Sequence, residues 1–142
     1  RKFFPSAALT TDIIVGYSTE TEENFQETLD TARKAAFADI HCFPYSRREG
    51  TAGAKLKEIP YAVKAERTDR LLKLKAELKE AFIKKNLGEI HELIPEETAD
   101  GYLVGYTENY IRCYVKSDFI NKKIKIRLTK PFRDGAIAEL AE

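Results

Sequence analysis

The hydrophobic period of this chain changes once, near Glu89, and that change limits what it can fold into. Before it, short β-branched runs alternate with segments whose apolar residues recur every three to four positions; after it, the period is two. Asp12–Tyr17 reads as a buried strand, and Thr19 and Thr21 before two glutamates signal a helix start. Phe25, Leu29, Ala32 and Ala36 then trace one apolar helical face, and Ile40–Phe43 reads as a second strand. Strand, helix and strand at this spacing predict a βαβ unit with a right-handed parallel crossover. Two parallel strands cannot cover both of their own faces, so the unit needs neighbours. From Pro60 to Gly88 no other Pro or Gly interrupts, and Val63, Leu71, Leu74, Leu78 and Phe82 form a stripe broken only by Arg67. The predicted helix is about 40 Å long and bridges two domains.

Beyond Glu89, five short strands are expected: Glu89–Pro95, Tyr102–Thr107, Ile111–Lys116, Lys123–Thr129 and Ala136–Leu140. Turn signals separate them, among them Asp100-Gly101 and Asp134-Gly135. Five strands in so short a span predict a small antiparallel barrel of the OB type. The fold class is therefore α/β plus all-β.

With 142 residues, including seven Tyr and eight Phe, the chain can bury a core as one domain or two small ones. A net charge of +1 excludes nothing by itself, so the distribution of charge matters more than its sum. Only Cys42 and Cys113 are present, each in an apolar stretch. They read as free thiols in a reducing compartment, and two are too few for an iron–sulfur cluster. No run reaches membrane-spanning length and no signal peptide opens the chain, so a cytoplasmic location is expected. The chain contains no methionine and begins Arg-Lys-Phe-Phe-Pro, which reads as a segment of a longer polypeptide.

Two stretches carry candidate chemistry. Phe43–Thr51 places an aromatic ring, a hydroxyl, two cations and a glycine just after a strand, where ligands bind in parallel α/β sheets. A turn punctuated by Pro44 and Gly50 explains the same composition. The second stretch is electrically polarised. Residues 86–108 hold six acids and no Lys or Arg, whereas residues 109–133 hold eight cations against Asp118 alone. A basic barrel surface beside Tyr106, Tyr110 and Tyr114 suits RNA, cations neutralising phosphate and rings stacking on unpaired bases. The acidic half would otherwise dock on the first domain.

Three blocks resemble the radical S-adenosylmethionine methylthiotransferases that modify tRNA. They are Thr11–Gly16 with Glu20-Thr21, Phe43–Ser46 with Arg48–Thr51, and Gly105–Ile111, in the family's order. The resemblance implies that residues 1–81 end a parallel (βα) barrel and that residues 82–142 form an RNA-binding TRAM barrel. It implies methylthiolation at C2 of the modified adenosine beside the anticodon, threonylcarbamoyl-adenosine by the Asn109-Tyr110-Ile111 block. It implies S-adenosylmethionine and two 4Fe-4S clusters in the parent enzyme, none held tightly by this segment alone, which lacks the Cys-x-x-x-Cys-x-x-Cys loop. No catalytic residue and no metal ligand is assigned here.

By the same resemblance Val15, Gly16, Phe43, Pro44, Tyr45 and Arg48 border the cofactor, with Arg47 outward. Tyr106, Thr107, Asn109, Tyr110, Arg112, Lys123, Lys125 and Arg127 face tRNA at its anticodon region. Gly16-Tyr17-Ser18-Thr19 departs from the family's Gly-Phe-Pro-Gly, so the loop there is expected to differ in shape. The remaining partners are the rest of the parent chain and, through an exposed sheet edge, another copy. No membrane is expected. Two other readings stay open: a non-catalytic RNA-binding module with a βα adaptor, and a domain that docks a protein partner.

Overall fold

The structure is a computed structural model and describes residues 3–141. The chain divides into two compact units. One is Leu9–Lys79; the other runs from Glu80 to the C-terminal end and includes the short segment before Leu9.

The first unit is built on β1 (Thr10–Val15) and β2 (Asp39–Pro44), joined by α1 (Glu22–Ala35). The strands pair in parallel, Thr10 opposite Asp39 through Val15 opposite Pro44. Thr21 caps α1: its hydroxyl accepts from Asn24 N–H at 3.2 Å, and the Asn24 side chain accepts from Thr21 N–H at 3.1 Å. Glu22 and Glu23 in the first turn and Arg33 and Lys34 in the last complement the helix dipole. With no glycine available, Ala36 itself takes the left-handed conformation that ends the helix, at φ 50°. The core joins Val15, Phe25, Leu29, Ala32 and Ile40 to Leu71 and Leu74 of α2 (Tyr61–Lys85). The other face of the two strands is open, with Ile14 60% and Phe43 50% exposed. A short 3-10 turn, Gly53–Lys55, follows β2. The described residues build two parallel strands here; the wider (βα) barrel is not among them.

The second unit contains β3 (Ile90–Leu93), β4 (Glu97–Ala99), β5 (Tyr102–Tyr106), β6 (Arg112–Val115), β7 (Ile124–Phe132) and β8 (Gly135–Leu140). Their order in the sheet is β3-β7-β8-β6-β5-β4. A further antiparallel bridge between Leu93 and Thr107 brings the end of β3 to the end of β5, so the sheet curls back on itself. Leu103, Cys113, Val115, Ile126, Leu128 and Ala138 share its inner face. β7 alternates strictly, Ile124, Ile126 and Leu128 inward and Lys125, Arg127 and Thr129 outward.

Three features differ from the expected five-stranded antiparallel barrel. There are six strands, because the polar Glu97–Ala99 forms a hairpin with β5. Its turn, Asp100-Gly101, has φ 49° and 79°, the doubly positive geometry that such a dipeptide favours. β6 and β8 run parallel: β8 pairs antiparallel with β7 on one side and receives β6 on the other, β3 holding the far edge of β7. β7 also continues through Pro131, at a point where only β8 pairs with it and a missing N–H is tolerated.

Closure depends on Gly105. A Cβ there would lie 2.6 Å from the Ile94 carbonyl oxygen, which is backbone and cannot rotate aside. Gly105→Ala is expected to destabilise the β unit by about 1–3 kcal/mol, measured by denaturant unfolding. Unchanged stability would mean that β5 and the chain after β3 do not approach so closely.

Candidate functional site

Beyond the carboxyl ends of β1 and β2 lies a cavity of about 810 Å³. Ile14, Phe43 and Pro44 supply apolar wall, and Tyr17, Tyr45 and Arg48 supply polar groups. The Tyr17 and Tyr45 rings meet edge to face at 5.0 Å. A Cβ on Gly53 would lie 2.7 Å from the Tyr45 hydroxyl and 3.0 Å from that of Tyr17, so both hydroxyls converge over this glycine. A second cavity of about 610 Å³ adjoins it, bordered by Tyr45, Arg47, Glu58, Tyr61 and Lys64.

The cavity rim is held by a buried ion pair. Arg67 donates from one terminal nitrogen to the Glu20 carboxylate at 2.7 Å and to the Glu20 carbonyl at 3.0 Å. The same carboxylate oxygen accepts from Gly16 N–H at 3.1 Å. Both side chains are nearly buried, Arg67 6% and Glu20 12% exposed, and the guanidinium lies over the Phe25 ring. Gly16, at φ 80°, turns the chain where a Cβ would meet Lys64 Cγ at 2.4 Å. Lys64 is fixed by Glu58 at 2.9 Å. The two ends of the Tyr17-Ser18-Thr19 loop, Gly16 and Glu20, are thus clamped together.

The expected cofactor residues divide accordingly. Phe43, Pro44, Tyr45 and Arg48 border the 810 Å³ cavity. Val15 is fully buried in the core and contributes its carbonyl, which accepts from Tyr45 N–H at 2.7 Å. Gly16 sits under Lys64. Arg47 donates to the Ala54 carbonyl and borders the second cavity. Sequence reasoning missed Tyr17, Glu20, Gly53 and Lys64. Arg67 left a signal, a lone cation in an apolar helical stripe, which demands a buried partner.

In the β unit the polarised charge folds into cross-strand pairs. Glu92 meets Lys123 at 2.6 Å, Asp100 meets Arg133 at 2.6 Å, and Arg112 lies 3.4 Å from Glu97 and 3.1 Å from Asp134. Lys125 and Arg127 carry no ion pair among the described residues, and Arg127 donates to the Gly88 carbonyl at 2.7 Å. Tyr106 and Tyr110 are 55% and 79% exposed. Thr107 and Asn109 are buried. The Thr107 hydroxyl donates to the Asn109 side chain at 2.7 Å and accepts from Ile111 N–H at 2.9 Å. Asn109 donates to Ser6 and Asn86 at 3.1 and 3.0 Å. These two side chains shape the loop that displays Tyr110 and present no polar group outward.

Glu108 links β3 to this loop, bonded to His91 Nδ1 at 2.9 Å and accepting from Glu92 N–H at 3.1 Å. Burial pushes its carboxyl upward, but hydrogen bonds from backbone N–H groups and His91 outweigh that and hold it below the ordinary range. Asp134 is held low in the same way, by the Tyr114 hydroxyl at 2.6 Å and by Arg112 against its burial. Burial pushes the Cys113 thiol up to about 12. Among the described residues no group of three or more His, Cys, Asp or Glu side chains is placed to hold a metal ion. No described helix is long and apolar enough to cross a membrane.

An α/β unit with a strand-end cavity, followed by a curled β unit with cations on the outer face of β7, is the class of protein that these residues define. No family model matches the chain. It is 35% identical over 153 residues to threonylcarbamoyladenosine tRNA methylthiotransferase MtaB of Bacillus subtilis, a match covering 100% of this chain and 34% of that protein. It is 38% identical over 138 residues to the tRNA-2-methylthio-N(6)-dimethylallyladenosine synthase of Aquifex aeolicus, covering 95% of this chain and 31% of the relative. The Nocardia farcinica protein of that name is 46% identical over 98 residues, covering 68% and 20%. The chain therefore spans about a third or less of the length of these relatives. It belongs to the tRNA methylthiotransferase family.

Two outcomes are expected. Arg67→Met leaves the Glu20 carboxylate buried and unpaired, which costs about 3–5 kcal/mol of the α/β unit's stability in denaturant unfolding. Adding Glu20→Gln removes the stranded charge while keeping an acceptor for Gly16, and restores part of the loss. No recovery would contradict the clamp. Glu108 and Asp134 have lowered folded-state values, so their contribution is complete above the ordinary carboxylate range, 4.5 for Glu, and is lost as pH falls through the folded values. Glu108→Gln should lower stability at neutral pH and flatten its acid limb; an unchanged slope would contradict the assignment.

Proposed function

We propose that this chain is part of a tRNA methylthiotransferase, with the α/β unit forming one wall of the S-adenosylmethionine site and the β unit, a TRAM-type domain spanning residues 82–142, holding tRNA. The observation that carries the reading is the strand-end cavity of the α/β unit together with similarity, along the whole of this chain, to about a third of proteins named for this activity. A volume of about 810 Å³ lies within the usual range for small-molecule and cofactor sites. Ile14 and Phe43 offer flat apolar contact for an adenine, the Tyr17 and Tyr45 hydroxyls offer partners for a ribose, and Arg48 offers a cation for a carboxylate. When bound, S-adenosylmethionine supplies the methyl group. The residues described here orient it, and Arg67 and Glu20 keep the rim in place.

On the β unit, Lys125 and Arg127, like Lys116, Lys122 and Lys130, pair with no carboxylate among the described residues, and Tyr106 and Tyr110 are exposed rings. Cations and aromatic faces on one small domain suit RNA. The Asn109-Tyr110-Ile111 block favours threonylcarbamoyl-adenosine as the substrate, while whole-chain matches include proteins named for that nucleoside and for its dimethylallyl counterpart.

Deleting the gene that encodes this chain and analysing tRNA nucleosides by mass spectrometry tests the proposal. Loss of the methylthio form of threonylcarbamoyl-adenosine, with the unmethylthiolated form accumulating, is expected. Loss of the dimethylallyl counterpart instead would transfer the substrate assignment, and no change in either would overturn the function.

A further inference from the structure

The end of β3 and the end of β5 enclose a groove of about 430 Å³ on the β unit. Its walls are Ile94 and Tyr106, 47% and 55% exposed. Its polar positions are Glu92, Glu96, Glu108 and Lys123. Three of these are occupied. Glu92 pairs with Lys123 at 2.6 Å, and Glu108 is bonded to His91 and to Glu92 N–H. The Glu96 backbone N–H donates to the Val104 carbonyl at 3.0 Å, but its carboxylate has no hydrogen bond or ion pair among the described residues. The groove therefore offers an open aromatic face and one uncommitted carboxylate.

Lys123 lines the groove and begins a row. Lys125 and Arg127 follow at every second residue on the outer side of β7, about 7 Å apart by the rise of a strand. A polyanion laid along that row is led to the groove, where the Glu96 carboxylate repels phosphate. What fits is a neutral flat group with a hydrogen-bond donor. Resting on the proposal that this unit holds RNA, we propose that the groove is a base-reading subsite for an unpaired nucleobase with an exocyclic amine, cytosine before uracil. The base stacks on Tyr106 and its amine donates to Glu96. Carboxylates accept from the cytosine N4 amine, whereas uracil presents a carbonyl oxygen there and meets repulsion.

The test uses the full chain and fluorescently labelled octamers of cytidylate and uridylate, titrated by anisotropy at several salt concentrations. Cytidylate should bind about five- to tenfold tighter, with both affinities falling as salt rises. Glu96→Gln should abolish the preference mainly by improving uridylate binding. It touches no partner, so its melting temperature should match that of the parent. Tyr106→Ala should weaken both oligomers at least fivefold. Equal, salt-dependent binding of both oligomers, or a preference that survives Glu96→Gln, overturns the subsite and leaves RNA binding standing. Binding of neither oligomer nor tRNA overturns the RNA reading itself.

Discussion

The contact on which the strand-end site depends is the ion pair of Arg67 and Glu20. Moving either charge out of water is costly, and the pair offsets that cost through close contact and further hydrogen bonds. Arg67 bonds both the carboxylate and the carbonyl of Glu20, and the carboxylate also receives Gly16 N–H. One interaction therefore fixes the end of β1, the turn into α1 and the first half of α2. Tyr17 lies inside that closed circuit and is thereby aimed at Tyr45 across the cavity. The rim is rigid because of charge buried beneath it, not because of the residues that line it.

A different economy of charge governs the β unit. Its acidic segment and its basic segment are separate in sequence but interleaved in space. Glu92, Glu97 and Asp100 each meet a cation from beyond residue 110. Exposed pairs of this kind contribute little stability each. Their larger effect is to decide which cations remain available. Arg112, Lys123 and Arg133 are engaged with carboxylates, while Lys125, Arg127 and Lys130 of β7 meet none among the described residues, and Arg127 bonds only the Gly88 carbonyl.

Much of the fold was readable from local pattern. β1, β2, the Thr21 cap, the long α2 and the Asp100-Gly101 turn each carry their instruction within a few residues. β4 does not: Glu97–Ala99 is three residues long, with no apolar alternation to announce it. The parallel meeting of β6 and β8 is non-local, and no short window encodes it. The sites were legible in part for the same reason. Phe43, Pro44, Tyr45 and Arg48 follow a strand, and position alone places them at the cavity. Thr107 and Asn109 read as surface polar residues, yet they are consumed by a network that includes Asn86 and Ser6, distant in sequence. Glu20 found its partner 47 positions away.

Lys125 and Arg127, which meet no carboxylate on the outer face of β7, are the proposed electrostatic contact with RNA. The most direct measurement is the salt dependence of tRNA binding by the full chain and by a Lys125→Gln/Arg127→Gln variant. Each phosphate neutralised contributes about 0.7–0.9 to the slope of log affinity against log salt. The account predicts a slope shallower by about 1.4–1.8 in the double variant, together with weaker binding at low salt. An identical slope and affinity in the two proteins would contradict it.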